Sequence, residues 1–398
     1  MHIVADENIP LVDAFFSDLG RITRLPGRRI DGHALQDADV LLVRSVTPVA
    51  AATLAGTPVR FVGTCTIGTD HLDLAGLAAA GIKTASAPGC NARGVVEYVL
   101  SCLLVLSERT GRDWRKLTVG VVGVGEVGGR LVATLEALDV HVLRCDPPRA
   151  EQAEQGFVSL DELIDQADVI SLHVPLEVTG RHATRHLLDT ARLDRLRPGA
   201  WLINSSRGPV VDNLALRQVL EARGDLQVVL DVWEHEPDVD IDLAVRCVLA
   251  TPHIAGYSLD GKLRGTEQIY RELCSFLGRS ADKTLAELSP SQGVGTLLLD
   301  SATPPEWVVA KALRYVYDVR DDDARFRSML VAATGVTQRK EGFDRLRKEY
   351  PLRRECQWLA VGLADADGQP GTGTRTGQCE RMLKAAGFSG ARRHDLRG

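Results

Sequence analysis

The stretch that most constrains this chain is Thr118–Val132, TVGVVGVGEVGGRLV. Within it, Gly123-Val124-Gly125-Glu126-Val127-Gly128 matches G-x-G-x-x-G, a spacing that glycine-rich chains also produce by chance. The flanks decide its meaning. Leu117–Val122 is a short apolar, β-branched run that reads as a buried parallel strand, and Arg130–Leu138 repeats apolar residues at helical intervals. Val140–Cys145 reads as a second strand ending in Asp146. An acid about twenty residues past the glycines is where a βαβ unit returns its second strand to a ribose. Gly123 then makes the tight turn, Gly125 lets backbone approach a pyrophosphate, and Gly128 lets helix and strand pack closely. Phosphates would rest on the unpaired amides at the positive end of the helix. The whole order of parts predicts a dinucleotide site in an α/β fold.

At 398 residues the chain has room for two or three domains. Its net charge of −6 argues against a nucleic-acid footprint, though not against a local basic pocket. "MHIVADENIP" runs straight into a strand without a charged-then-apolar leader. The most apolar helix candidate, Val95–Leu106, carries Glu97 and is too short to span a bilayer. The eight cysteines show no C-x-x-C pair and no metal-ligand spacing. A cytoplasmic protein with reduced thiols and no bound metal is expected.

Strand and helix signals alternate over the first ~90 residues, giving a first α/β unit. "HIVAD", "ADVLLVRS" and "RFVGTCT" read as strands, "VDAFFSDLG" and "DLAGLAAAG" as helices. A helix from Asn91 to Arg109 leads into the dinucleotide unit, which continues through strands "ADVISLHVP", "AWLINSS" and "LQVVLDV". After "LATPHIAG" the long helix "SLDGKLRGTEQIYRELCSFLG" is expected to return the chain to the first unit. The expected architecture is two Rossmann-like, doubly wound parallel-sheet domains flanking a cleft, plus a small C-terminal α+β domain. The boundaries are 1–93 with 254–285, then 94–253, then 290–398, with a linker at Ser289–Gly293. In the last domain, "GTLLLDS" and "WLAVGLA" read as strands, "EWVVAKALRYVYDVR" and "CERMLKAAGF" as helices, and 364–378 as a loop.

Three strings follow the glycine motif: "INSSRGPVVD" around Arg207, "LDVWEHEP" around Asp231 and Glu236, and "TPHIAG" around His253. Each follows a strand of one predicted sheet, at the carboxyl ends where open α/β folds bind ligands. Taken singly, such residues are ordinary loop and turn polar groups. With the glycine motif they resemble the D-isomer-specific 2-hydroxy acid dehydrogenases, in which Arg, Glu and His occur in this order, and the resemblance runs to about residue 285. "DENIP", "VRSVTPV", "FVGTCTIGTDHLD", "APGCNARGVVEYV" and "CDPPRA" narrow the likeness to the erythronate-4-phosphate dehydrogenase group, as does the extra C-terminal domain.

The resemblance implies an NAD-dependent oxidation of 4-phospho-D-erythronate at C2 in vitamin B6 biosynthesis. It implies His253 as acid/base, Glu236 as its partner and Arg207 as anion clamp. The types suit the chemistry: an imidazole near pKa 6.5 is a good base at neutral pH, and a guanidinium fork matches a carboxylate. Cofactor contacts are expected from Gly123, Gly125, Glu126, Val127, Gly128, Asp146, Val174, Ser205, Ser206, Arg207, Asp231 and Gly256. Substrate contacts are expected from Ser45, Thr66 and Tyr257, with Arg44 added on charge alone. Ser205-Ser206 depart from related chains, which often carry an apolar or different small residue before the arginine. His71 and His173 read as packing or capping residues.

Asp146 favours NAD over NADP, since it accepts from ribose hydroxyls and repels a 2′-phosphate. Arg149 tempers this, but Pro147 and Pro148 are expected to lead the chain away from the site first. The rival readings are a 3-phosphoglycerate or other D-2-hydroxy acid dehydrogenase, and a dinucleotide-sensing binding protein resembling the corepressors of this fold. An apolar stripe of Val308, Val309, Ala312, Leu313, Val316 and Val319 on one helix, 304–320, suits either a small internal core or a homodimer contact through the C-terminal domain.

Overall fold

The computed structural model describes residues 1–152, 154–289, 295–365 and 367–390. Its contacts divide the chain into two compact units. The first comprises Met1–Arg93 and a segment beginning at Tyr257; the second comprises Gly94–Gly256 and the C-terminal segment. The linker expected at 289–293 lies, past Ser289, outside the described residues.

The first unit holds a five-stranded sheet of β1 (His2–Asp6), β2 (Arg21–Leu25), β3 (Val40–Val43), β4 (Phe61–Thr64) and β5 (Lys83–Ala85). All its pairings are parallel, in the order β2-β1-β3-β4-β5. β1, β3 and β4 are buried at every residue and mostly apolar because both faces are covered. One face packs on the helix Leu259–Phe276 through Ile269, Tyr270 and Leu273. β2 and β5 escape a reading of the sequence because, at the sheet edges, they carry exposed or half-buried polar residues. The order reverses between β1 and β3, so the residues after β3 sit at a switch point.

The second unit contains β6 (Val119–Val122), β7 (Val142–Cys145), β8 (Val169–Leu172), β9 (Trp201–Asn204), β10 (Gln227–Leu230) and β11 (Leu249–Ala250). They form one parallel sheet ordered β11-β10-β9-β8-β6-β7. Its switch point lies between β6 and β8, where the glycine loop leaves β6. The long helix Ala92–Thr110 enters this unit.

The C-terminal segment adds a third sheet: β12 (Gly295–Asp300), β13 (Leu359–Ala364) and β14 (Ser389–Gly390), parallel, with β13 central. Its first helix differs from expectation. Pro305–Val316 stops where Tyr317 turns extended (φ −154), and Asp318 caps a new helix, Val319–Ala332, by accepting from the Arg320 amide. A further helix, Val336–Lys348, follows. Both are mostly charged, and a narrow apolar edge gives little periodicity to read. That edge is nevertheless buried: Phe326, Met329, Leu330 and Phe343 join the core of the second sheet. The stripe of Val308, Val309, Ala312 and Leu313 is also buried within this one chain. The last helix begins at Thr374, inside the expected loop, because Thr376 turns inward and bonds back to the Thr372 carbonyl.

Candidate active site

The glycine loop divides its labour as the spacing requires. Gly123, at φ +84, follows β6 directly, and its amide donates to the Cys145 carbonyl at 2.8 Å. A Cβ there would meet the His173 carbonyl and Val174 Cγ1 within 2.8 Å. A Cβ on Gly128 would lie 1.9 Å from the Gly123 carbonyl oxygen, so helix and strand touch backbone to backbone. At Gly125 an added Cβ meets no protein atom within 4 Å, so the space over that backbone is open to a ligand. Glu126 and Val127 open the helix Glu126–Ala137, whose first amides face this space.

Asp146 ends β7. One carboxylate oxygen accepts from the Val124 amide at 2.8 Å, tying the acid to the loop. Arg149 corrects an expectation, for the prolines do not carry it off. They start a short helix, Pro147–Glu151, and the guanidinium folds back to donate to the Val124 carbonyl at 2.5 Å. Glu154 then holds it by ion pairing and draws its charge from the site.

His253 and Glu236 meet. His253 Nδ1 is 2.7 Å from Glu236 Oε2, while Glu236 Oε1 accepts from the Trp233 amide at 2.8 Å. Burial pushes the Glu236 carboxyl up, but the His253 charge, their hydrogen bond and the Arg347 charge outweigh it and hold it below its usual range. His253 itself stands at φ +58, a left-handed conformation rare for a side-chain-bearing residue. Asp231 accounts for that turn. The Asp231 carbonyl accepts from the His253 amide, and its buried carboxylate accepts from Thr251 Oγ1 and the amides of Ile254 and Ala255. Burial raises the Asp231 carboxyl above its usual range, against the His253 charge and these hydrogen bonds. Gly256, at the end of this segment, is the last residue before the chain passes to the first unit.

Arg207 leaves β9 through a turn organised by Asn204, a residue missed in the sequence. Buried Asn204 accepts from the Ser206 amide and hydroxyl and donates to the Arg207 carbonyl. Ser205 stands between them, half-buried. A Cβ on Gly208 would lie 1.9 Å from the Trp233 carbonyl oxygen, so the arginine turn abuts the loop bearing Glu236. His186 reinforces this seam, at 2.6 Å from Glu234 and 3.4 Å from Asp212. Asn213 also bonds Glu234. Among the described residues, His186, Asp212 and Glu234 are the only trio whose ligand-type atoms converge, and these hydrogen bonds occupy them.

In the first unit, Arg44 and exposed Ser45 directly follow β3 at its switch point, and half-buried Thr66 follows β4. Thr66 Oγ1 shares a 2.8 Å hydrogen bond with Thr64. Tyr257 lies beneath Lys262, whose Nζ is 4.9 Å from the ring centroid. Lys262 is a second residue missed in the sequence. Burial, joined by the Arg44 charge, lowers its pKa to about 8.

The model of the D-isomer specific 2-hydroxyacid dehydrogenase NAD binding domain matches residues 105–255, and that of a domain of unknown function matches 288–370. An erythronate-4-phosphate dehydrogenase of Pseudomonas syringae pv. tomato is 60% identical over 363 residues, 91% of this chain and 95% of the relative. One of Pseudomonas aeruginosa (strain UCBPP-PA14) is 56% identical over 388 residues, 97% and 99% of the two chains. The chain belongs to the erythronate-4-phosphate dehydrogenase family.

It is therefore an oxidoreductase with NAD as cofactor, and the open Gly125 backbone, the helix terminus and Asp146 fit that dinucleotide. The fold agrees. The NAD-bound 3-phosphoglycerate dehydrogenase of Entamoeba histolytica superposes with a TM-score of 0.61 at 22% identity, covering 71% of this chain and 97% of that one. The D-lactate dehydrogenase of Aquifex aeolicus, solved with NAD and lactic acid, gives 0.58 at 25% identity, covering 70% and 96%.

Proposed function

We propose that this chain oxidises 4-phospho-D-erythronate at C2 to (R)-3-hydroxy-2-oxo-4-phosphooxybutanoate, within pyridoxal 5′-phosphate biosynthesis. The observation that carries the chemistry is the 2.7 Å contact between His253 Nδ1 and Glu236. With Nδ1–H donating to the carboxylate, Nε2 is left with the lone pair that takes the substrate's hydroxyl proton. NAD, when bound, supplies the acceptor for the hydride leaving C2. As the proton arrives on Nε2, Glu236 stabilises the imidazolium, and its lowered pKa keeps it ionised for that task. Arg207 offers its planar donors to the C1 carboxylate and the C2 oxygen. The Gly123–Gly128 loop and the helix after it hold the pyrophosphate, and Asp146 the adenosine ribose. Val174, Ser205, Ser206, Asp231 and Gly256 border the remainder of the cofactor.

The phosphate is assigned to Arg44 and Lys262, with Ser45, Thr66 and Tyr257 as hydrogen-bonding partners. Neighbouring cations raise each other's cost, which a phosphate dianion relieves. A second copy of the chain is the proposed partner, through the C-terminal sheet. Support comes from β12, which among the described residues pairs on one side only and leaves Leu298 49% exposed. All eight cysteines are buried free thiols, in keeping with a reducing cytoplasm. Among the described residues no helix is long and apolar enough to cross a membrane.

The test is turnover with NAD of 4-phospho-D-erythronate, 3-phosphoglycerate and erythronate. The first should exceed the others in kcat/KM by at least about a hundredfold. Equal use of 3-phosphoglycerate would overturn the substrate assignment, and no turnover of any would point to a dinucleotide-sensing protein.

A further inference from the structure

Two of the chain's three passages between its units follow Arg93 and Gly256. One side chain from the C-terminal segment reaches the backbone beside these two. Arg353 donates from one guanidinium nitrogen to the Gly94 carbonyl at 2.7 Å and from the other to the Ala255 carbonyl at 3.1 Å. It is only 4% exposed, stacks 3.5 Å from the Tyr317 ring centroid, and lies 3.9 Å from the wholly buried Glu97 carboxylate. Glu97 in turn accepts from the Cys356 amide at 2.8 Å, returning the network to the segment that bears Arg353.

Ala255 is two residues beyond His253. The turn 253–255 is therefore gripped from two sides: Asp231 takes its amides, and Arg353 takes its last carbonyl. A left-handed histidine persists only where its surroundings over-determine the turn, and these two grips do so. Other contacts bring the same segment to the neighbouring catalytic loop. Phe326 stacks 5.8 Å from Trp233, whose amide holds Glu236, and Asp323 accepts from the Ala250 amide at the end of β11.

We propose that Arg353 is a positioning residue for His253, and that the C-terminal segment is a working part of the catalytic unit. The inference rests on His253 being the acid/base group. A planar fork spans two carbonyls at once; an ammonium reaches one. A misplaced base loses turnover without losing dinucleotide affinity, because the glycine loop and Asp146 are untouched.

The experiment uses the full-length chain in two variants, Arg353→Lys and the double variant Arg353→Met/Glu97→Gln. The second removes both buried charges, so that neither is stranded. For each, kcat, KM, the pH profile of kcat, the NAD dissociation constant and Tm are measured. A loss in kcat of about tenfold to a hundredfold is expected for the double variant and a smaller one, still about fivefold, for Arg353→Lys. The acid limb of the pH profile should move, and NAD affinity should stay within about threefold. A purely structural role would lower Tm and leave kcat within about twofold of wild type in whichever variant folds, and that result overturns the proposal. His253→Ala run alongside separates the two failures. Normal turnover in that variant refutes the acid/base reading, whereas an inactive His253→Ala beside normal Arg353 variants refutes only the role of Arg353.

Discussion

At His253 the backbone sits at φ +58 and the ring meets Glu236 at 2.7 Å, so the side chain's direction is fixed before substrate arrives. Replacing Glu236 by Gln keeps the shape but removes the charge that stabilises the imidazolium. The acid limb of the kcat/KM profile for oxidation should then move to lower pH as activity falls; an unmoved limb would deny Glu236 this part. Arg207→Ala should raise KM for the 2-hydroxy acid and lower kcat together, since the clamp acts in both ground and transition states. Cofactor choice turns on a third contact. Glu154 pairs with Arg149, whose guanidinium already touches the loop carbonyl of Val124. Glu154→Ala frees that charge near the ribose and should raise kcat/KM with NADP relative to NAD by about tenfold. An unchanged ratio of the two cofactors would leave Asp146 alone in control. These residue types were legible because the chemistry demands them at strand ends. Lys262 and His186 were not, because each matters through a neighbour far away in sequence, Arg44 and Glu234; Asn204 was not, because its turn-forming bonds to Ser206 and Arg207 leave no mark on the sequence that separates it from an ordinary strand-end polar residue.

Among the elements, the β6–loop–helix unit makes the sharpest contrast, since two of its glycines serve different masters. Gly128→Ala forces a Cβ onto the Gly123 carbonyl and should cost about 1–3 kcal/mol of stability, read as a fall in Tm. Gly125→Ala meets open space, so Tm should hold while NAD binding weakens. Equal losses of stability in both would refute this division. The strand β8 is followed by His173, whose pKa burial lowers to about 4. The unfolded chain takes up a proton between about pH 6.5 and pH 4 that the folded chain excludes, so stability falls as pH drops through that window. His173→Gln should remove up to about 3 kcal/mol of that pH dependence, measured by denaturant melts at neutral and acidic pH. At this scale the buried parallel strands were legible from apolar runs. The helices Val319–Ala332 and Val336–Lys348 were not, because only Phe326, Met329, Leu330 and Phe343 face inward on charged surfaces.

For the whole molecule, the C-terminal segment changes the expectation most. Its sequence reads as a separate small domain, 290–398. The structure instead sinks Phe326 and Phe343 into the core beneath Trp233 and ties Arg327 to the carbonyls of Ala244 and Cys247. A chain cut at Ser289 should therefore aggregate or melt well below the full-length protein rather than yield a clean monomer. The intact protein should sediment at twice the 43.1 kDa chain mass. A full-length monomer in analytical ultracentrifugation would refute pairing through β12. Whether His253 takes the proton in an NAD-dependent oxidation of 4-phospho-D-erythronate is decided by the turnover of His253→Ala, with NAD affinity measured on the same protein. In that variant kcat should fall by about 10²–10⁴-fold with the NAD dissociation constant nearly unchanged; near-normal turnover would contradict the acid/base role of His253.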